Sequence, residues 1–591
     1  MKTAIILVAI ICLTWCARAQ SLETYFENSG GMRTPRYAET VEYCQKLART
    51  FPQVHYLSFG LSPQGRDLPL LIVDKGGNST PASVAASGNA VLLVQACIHS
   101  GECDGKDAGL MLLRDILTKK ELNSLLDHVT ILFIPIFNVD GHERFGPYNR
   151  INQNGPEEMG WRVTAQNLNL NRDYMKADAP EMQAWLKLYN SWLPDFFVDC
   201  HVTDGADYQY VLTYALETQG NMEKNLSNWT ANVCDNYLRK EMESRGYPIF
   251  PYVQFRNWHD PRSGLVSRPA PPMLSQGYTL VQNRPGLLIE THMLKPYKTR
   301  VESTYSMLEL VIRLLDKEYT NLKKLEKAAD EYTSGKEFRS EPFPVNWEES
   351  FADCVMSDFK GFEYTMDTSD LSGGLWFKYD RSKPATWKIP TFDKARIDAT
   401  VNLPEAYIIP PEWGVVIDRL KLHGVRMEPL KKEASIQVRM SRFNNVKWRE
   451  GSYEGRHKVS YQVTDSVQAF TFPAGSMLVD MNQRSARVVA HLLEPKSPDS
   501  FASWGFFDAT MEQKEYFESY VMETEARRML AADPILKKEF ESLKATDKKF
   551  ASDPEAILYW FYSKTPWLDS HFDLYPVGRI IDRKTMDGLE R

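Results

Sequence analysis

Apolar residues along this chain fall into two kinds of run. Val91–Ile98 (VLLVQACI), Val129–Phe137 (VTILFIPIF), Phe196–His201 (FFVDCH) and Gly286–Glu290 (GLLIE) are short and almost unbroken, as strands covered on both faces must be. Between them, Asp107–Leu117 and Glu181–Leu193 place apolar residues at helical spacing. This alternation, over about residues 35–300, predicts an α/β fold: a mixed, mainly parallel sheet flanked by helices. Glu302–Glu331 then predicts a long amphipathic helix, with Leu308, Val311, Leu315, Leu322 and Leu325 on one stripe and Gly335 as its stop.

Beyond that helix the pattern changes. Phe338–Pro404 is rich in Pro, Asp, Ser and Trp and has little periodicity. Ile436–Met440 and Val459–Val463 alternate with period two, the signature of half-exposed antiparallel strands. Met511–Ala532 and Glu555–Tyr562 return to helical spacing, giving a C-terminal α+β region of antiparallel strands and helices. The expected division is a catalytic domain over residues 20–335 and a β-rich and helical domain of unknown role over 336–591. Residues 1–19 form a separate leader. Lys2 precedes the uncharged apolar stretch Ala4–Cys16, and Ala17-Arg18-Ala19 offers a small-x-small cleavage site, the form of a secretory signal peptide. The stretch is short for a membrane span, and no later segment approaches one, so the mature chain is expected to be secreted or periplasmic.

Composition narrows the class without deciding it. The 591 residues are 43% hydrophobic and 25% charged, with 70 basic against 77 acidic side chains. A net charge of −7 argues against a nucleic-acid partner, which would require phosphate neutralisation. Without the leader six cysteines remain: Cys44, Cys97, Cys103, Cys200, Cys234 and Cys354. They are too few for a disulfide framework and have no zinc-knuckle spacing, although a pair such as Cys97 and Cys103 stays open.

The chemistry lies where polar residues end the apolar runs. His99-Ser-Gly-Glu102 follows the first run, and Gly101 permits a tight turn that directs both side chains to one point. Another run ends in Asp199-Cys-His201. Two imidazoles and one carboxylate are the protein ligands of a catalytic zinc, with a fourth position open to water. Glu290 closes a third run that offers no other reason for a charge, and strand C-termini in open α/β sheets are where sites form. Taken singly, each fragment is better explained by a hydrogen-bonded or ion-paired structural residue.

Their order changes that. His99-x-x-Glu102, Asn138-Val-Asp140-Gly141, Trp161-Arg162, Asn171-Arg172-Asp-Tyr174, His201 and Glu290 together resemble the zinc metallocarboxypeptidase family of the carboxypeptidase A type. The whole length is similar to long secreted bacterial members. The resemblance implies a carboxypeptidase-like fold and one Zn²⁺ per chain, held by His99, Glu102 and His201. Glu290 would be the general base, Arg162 the oxyanion stabiliser, and Asn171 with Arg172 the grip on a peptide's C-terminal carboxylate. Peptide or protein C-termini would be the substrate. A guanidinium suits that carboxylate because its planar fork engages two oxygens at once.

Three departures accompany the resemblance. Asn169 stands where the family usually places an aspartate to orient the first histidine. The family's mobile tyrosine has no clear counterpart, and Tyr278 is expected at the surface. The residue selecting the C-terminal side chain is unassigned, with Ser275 and Arg284 as candidates. The other histidines have no partner at ligand spacing and are expected to be structural or superficial. Rival readings are a zinc amidase on peptidoglycan stem peptides or acyl-amino acids, and a non-catalytic binding protein on the same fold.

Overall fold

The computed structural model describes residues 22–591, so the leader lies outside it. Packing divides the chain into two compact units. One contains residues up to Val401 with Lys421–Gly424 and Gln483–His491; the other contains Asn402–Leu420, Val425–Asn482 and Leu492–Arg591. The residues after 335 are therefore shared between the two.

The first unit is built on an eight-stranded sheet: β1 (Val54–Leu61), β2 (Asp67–Val73), β3 (Ala90–Gln95), β4 (Val129–Ile134), β5 (Phe196–Thr203), β6 (Leu212–Leu216), β7 (Ile249–Pro251) and β8 (Gly286–His292). Their spatial order is β1-β2-β4-β3-β5-β8-β6-β7. The pairs β3–β4, β3–β5, β5–β8 and β6–β7 are parallel, while β1–β2, β2–β4 and β6–β8 are antiparallel. Every residue of β3, β4, β5 and β8 is buried, which is why these strands read as unbroken apolar runs.

Helices α1 (Tyr37–Thr50), α2 (Asp104–Thr118), α3 (Pro180–Trp192), α4 (Ser275–Val281) and α5 (Tyr297–Ser334) flank the sheet. Asp104 and Asp107 stand in the first turn of α2, both buried. The long α5 packs along α2 and against β3 and β8, and its apolar stripe joins the main core. Inside that core, Arg300 of α5 holds Asp104 at 2.9 Å and donates to the carbonyls of Asn154, Gly155 and Lys295. One buried guanidinium thus ties the start of α2 to the loop before the Trp161-Arg162 pair.

The aperiodic stretch after α5 is regular β-structure. Phe343–Glu349 pairs with Ala395–Val401, and Val355–Thr368 pairs with Leu375–Phe392, both antiparallel. The long hairpin is exposed on both faces for much of its length, so no alternation marked it. Its base is different. Phe359 and Ile389 pack with Tyr208 and Tyr210, and Gln209 donates to the carbonyls of Gly361 and Ala385. The hairpin thereby braces the loop that leaves β5.

His491, on the helix Ala486–Leu493, is fully buried, accepts from Asn221 Nδ2 at 2.6 Å and meets the Phe343 ring. Burial first, and the nearby Arg487 second, hold its pKa down at about 3. A free imidazole titrates near ~6.5. Unfolded chains therefore take up a proton that the native state refuses as pH falls from that value toward 3, and stability declines across this window. Thermal unfolding of His491→Gln should depend less steeply on pH between these limits than wild type; parallel slopes would remove His491 as the cause.

The second unit holds a six-stranded antiparallel sheet including Ala406–Ile409, Ala434–Trp448, Val459–Phe472, Met477–Asp480 and Leu574–Ile580. Helices Ser519–Ala532, Pro534–Thr546 and Pro554–Tyr562 follow, with Met522, Ala526, Leu558 and Phe561 forming their core. The expected helix Met511–Ala532 is shorter: Asp508–Met511 is a separate 3₁₀ turn, and regular helix begins at Ser519. No helix among the described residues is long and apolar enough to cross a membrane.

Candidate metal centre

The parallel neighbours β3, β5 and β8 bring three separated parts of the sequence to one edge. His99 and Glu102 lie in the turn between β3 and α2, where Glu102 N–H donates to the His99 carbonyl. His201 lies within β5, directly opposite Glu290 of β8. Ligand atoms of His99, Glu102 and His201 all fall within 4.8 Å of one another, and all three residues are buried. His99 Nδ1 and His201 Nδ1 are each 3.2 Å from Glu102 Oε2 and 3.3 Å from each other.

Both imidazoles turn Nδ1 inward because Nε2 is engaged behind. His201 Nε2 meets Asp199 Oδ2 at 2.8 Å, and His99 Nε2 meets Asn169 Oδ1 at 3.1 Å. A ring whose Nε2–H donates outward presents the Nδ1 lone pair, the tautomer a cation needs. Gln95, in register with Asp199 across β3–β5, donates to Asp199 Oδ1 at 2.9 Å and to Tyr174 Oη at 2.8 Å. Asn169 Oδ1 also accepts from Asn171 N–H, so the same amide orients both the histidine and the turn after it.

Electrostatics favour a cation here. Burial lowers His99 to about 4, keeping its imidazole neutral. Around His201, burial acts the same way, but Asp199, Glu102 and Glu290 outweigh it and raise the imidazole well above its usual value. Burial pushes Glu102 upward, yet His99, Arg150 and His201 hold it well below the carboxylate range. Two imidazoles and the Glu102 carboxylate, converging within 4.8 Å, form a donor set that fits a divalent zinc. Burial also pushes Glu290 up to about 8, with the charges of Glu102 and Asp199 adding to the effect and His201 opposing it.

Two guanidiniums reach Glu102 Oε1, Arg162 at 3.4 Å and Arg150 at 2.9 Å. Arg150 was not anticipated, and Gly101 is its counterpart. A Cβ on Gly101 would lie 2.4 Å from Arg150 Cδ and 2.9 Å from the Gly160 carbonyl, so the arginine passes through the space that glycine leaves. Asn138 caps the short helix Val139–Glu143 and donates to the Arg162 carbonyl, while Asp140 is consumed by Arg66, Ser62 and Gln64. Asn171 Oδ1 accepts from Ser275 N–H at 3.0 Å, which leaves its amide nitrogen to face elsewhere, and Arg172 beside it is half-buried. Ser275 thus adjoins Asn171. Arg284 does not: it is buried against Asp330 and Glu326 of α5, away from any role in substrate choice.

Tyr278 is also relocated. It is fully buried among Trp185, Tyr189 and Tyr174, with its hydroxyl 3.0 Å from His423 Nδ1, because the apolar face of α4 turns inward. A different tyrosine approaches the site. Tyr252, just after β7, hydrogen-bonds Thr203 and has its phenol raised by burial and by Glu290. It lines a cavity of about 340 Å³ with Asp204, Ala206 and Tyr208, on the loop that follows His201. His292 closes that loop from below: its Nε2 meets the Ala206 carbonyl at 2.8 Å and its Nδ1 accepts from Leu294 N–H, a structural use of both nitrogens.

Comparisons with known proteins bear on this arrangement. The sequence profile described as zinc carboxypeptidase matches residues 40–245, a span that includes every residue of the cluster except Glu290. The chain is 23% identical over 499 residues to Carboxypeptidase 2 of Trichophyton rubrum, covering 81% of this chain and 85% of that protein. It is 22% identical over 493 residues to the probable carboxypeptidase 2 of Arthroderma benhamiae, covering 80% and 86%. Among solved structures, a metallo-carboxypeptidase from Pseudomonas aeruginosa is 19% identical with a TM-score of 0.35, covering 47% of this chain and 68% of that one.

Proposed function

We propose that this chain, a member of the zinc carboxypeptidase family, removes C-terminal residues from peptides with one zinc per chain, held by His99, Glu102 and His201. The observation that carries the reading is the convergence of those three side chains on one point, with Glu290 in register beside His201. When bound, zinc supplies a Lewis acid for the scissile carbonyl and makes water a nucleophile at neutral pH.

The chain's own residues do the rest. Arg172 and the Asn171 amide hold the terminal carboxylate, which registers the last peptide bond over the cluster. Glu290 takes a proton from the attacking water and delivers it to the departing amine. Arg162 places fixed positive charge where the carbonyl oxygen becomes an oxyanion, and Arg150 adds a second guanidinium on the same side. After removal of residues 1–19 the protein would work outside the cytoplasm.

A peptide with a free C-terminus should lose residues one at a time, while its C-terminal amide should resist; mass spectrometry of the products reads both. Equal cleavage of the two, or internal cleavage, would refute the exopeptidase reading. Arg172→Ala should lower kcat/KM by ~10-fold or more, mainly through KM, because it deletes a charge-assisted hydrogen bond made to the substrate. An unchanged KM would move carboxylate recognition to another residue.

A further inference from the structure

Cys97 and Cys103 stand at the two ends of the turn that carries His99 and Glu102. Both are fully buried, and their sulfurs, together with a nitrogen of His142, lie within 4.8 Å of one another. Cys97 has a left-handed backbone with φ of 56°, which folds its side chain back under the turn; its Sγ lies 3.7 Å from the Glu102 carbonyl oxygen, the atom next to the Cys103 amide. Cys103 caps the start of α2 and directs its Sγ to the Ser100 carbonyl at 3.3 Å. The two thiols are also in hydrogen-bond contact with each other. Both are free thiols here, held close together at the two ends of one short turn.

A metal is the rival occupant, and the surroundings disfavour it. His142 Nε2 already accepts from the Lys106 ammonium at 2.9 Å, and its Nδ1 faces Glu143 Oε1 at 3.4 Å. Both imidazole nitrogens are therefore engaged, and a cation at the sulfurs would sit beside a buried ammonium. A disulfide brings in no charge.

We propose that Cys97 and Cys103 are joined by an intrachain disulfide in the mature protein, stapling the ends of the turn that supplies His99 and Glu102. The oxidant is another disulfide supplied by the compartment outside the cytoplasm, carried by a small molecule or by a thiol-exchange protein, acting during folding before the turn is buried. The two thiols give up two protons and two electrons, and an S–S bond forms between Cys97 Sγ and Cys103 Sγ. The S–S bond of that disulfide breaks, and its two sulfurs leave as thiols carrying the protons. The staple removes chain entropy from the turn that must present two side chains together, and it does so whatever substrate the site accepts.

Peptide mapping tests this on wild-type protein secreted into the bacterial periplasm. The protein is denatured with iodoacetamide and without reductant, then cut with trypsin and with a Glu-specific protease. Trypsin leaves both cysteines on the fragment 76–106, whose one glutamate is Glu102, between them. The expected result is a fragment lighter by two hydrogens, whose halves stay joined after cleavage at Glu102 until phosphine is added. The stapled protein should also yield zinc to a chelator several-fold more slowly than the phosphine-treated protein. Alkylation of both cysteines without phosphine would overturn the proposal. So would a second equivalent of zinc lost on Cys103→Ser, which would assign the sulfurs to a metal. Because the mapping reads no peptidase activity, its failure is separate from failure of the function proposed above.

Discussion

Glu290→Gln should lower kcat by ~10²–10⁴-fold while the protein keeps a full equivalent of zinc. The substitution preserves size and leaves the β5–β8 register intact, since the backbone of Glu290 and not its side chain makes the ladder. It removes the carboxylate opposite His201 without touching the three residues whose ligand atoms converge. Turnover and metal content therefore separate, and metal analysis beside steady-state kinetics reads both. The pH profile adds a second check. A base works only when ionised, so activity rises with pH through its pKa. Burial, with the charges of Glu102 and Asp199 adding to it and His201 opposing, sets Glu290 at about 8. A divalent cation facing it favours the charged form and moves that limb to lower pH. The acidic limb of kcat/KM should vanish from the residual activity of the variant. Loss of zinc together with turnover would make Glu290 a structural residue and end its assignment as a base.

What was legible in the sequence follows from how each residue is buried. The central strands announced themselves because both faces are covered, so nothing polar interrupts them until the chain reaches the edge where the cluster forms. That is why His99, His201 and Glu290 stood out: each is a polar residue at the end of a run with no other use for one. The exposed hairpin Val355–Thr368 and Leu375–Phe392 lacked such contrast, and its bracing of the loop after β5 could not be anticipated. Arg150 approaches Glu102 from a loop 48 residues away in sequence, and the one local trace of it is the glycine at 101. His142 had no ligand-spaced neighbour along the chain, yet folding sets it against Cys97 and Cys103. Tyr278, expected at the surface, and Arg284, a candidate for selecting the C-terminal side chain, are both buried instead, Tyr278 against His423 and Arg284 against Asp330, and nothing in the local sequence marked either as core.

Asp199→Asn should weaken zinc binding by ~10–100-fold, the usual effect of removing a carboxylate behind a metal-bound histidine. Asp199 uses its two oxygens differently: Oδ2 accepts from His201 Nε2 and Oδ1 from Gln95 Nε2. Asparagine has one acceptor for these two donors, so one contact is lost and the negative charge behind the imidazole disappears with it. The first histidine already lives with that chemistry, because Asn169 Oδ1 is what His99 Nε2 meets. Asn169→Asp should therefore act with the opposite sign. The oxygen that accepts from His99 and from Asn171 N–H remains, and the added charge makes the imidazole a stronger donor to the metal. Chelator competition at fixed pH measures both variants on one scale. Opposed shifts would tie the asymmetry between the two histidines to their outer partners. Unchanged affinity in both would mean that the cation is held by other side chains, and His99, Glu102 and His201 would lose their place as its ligands.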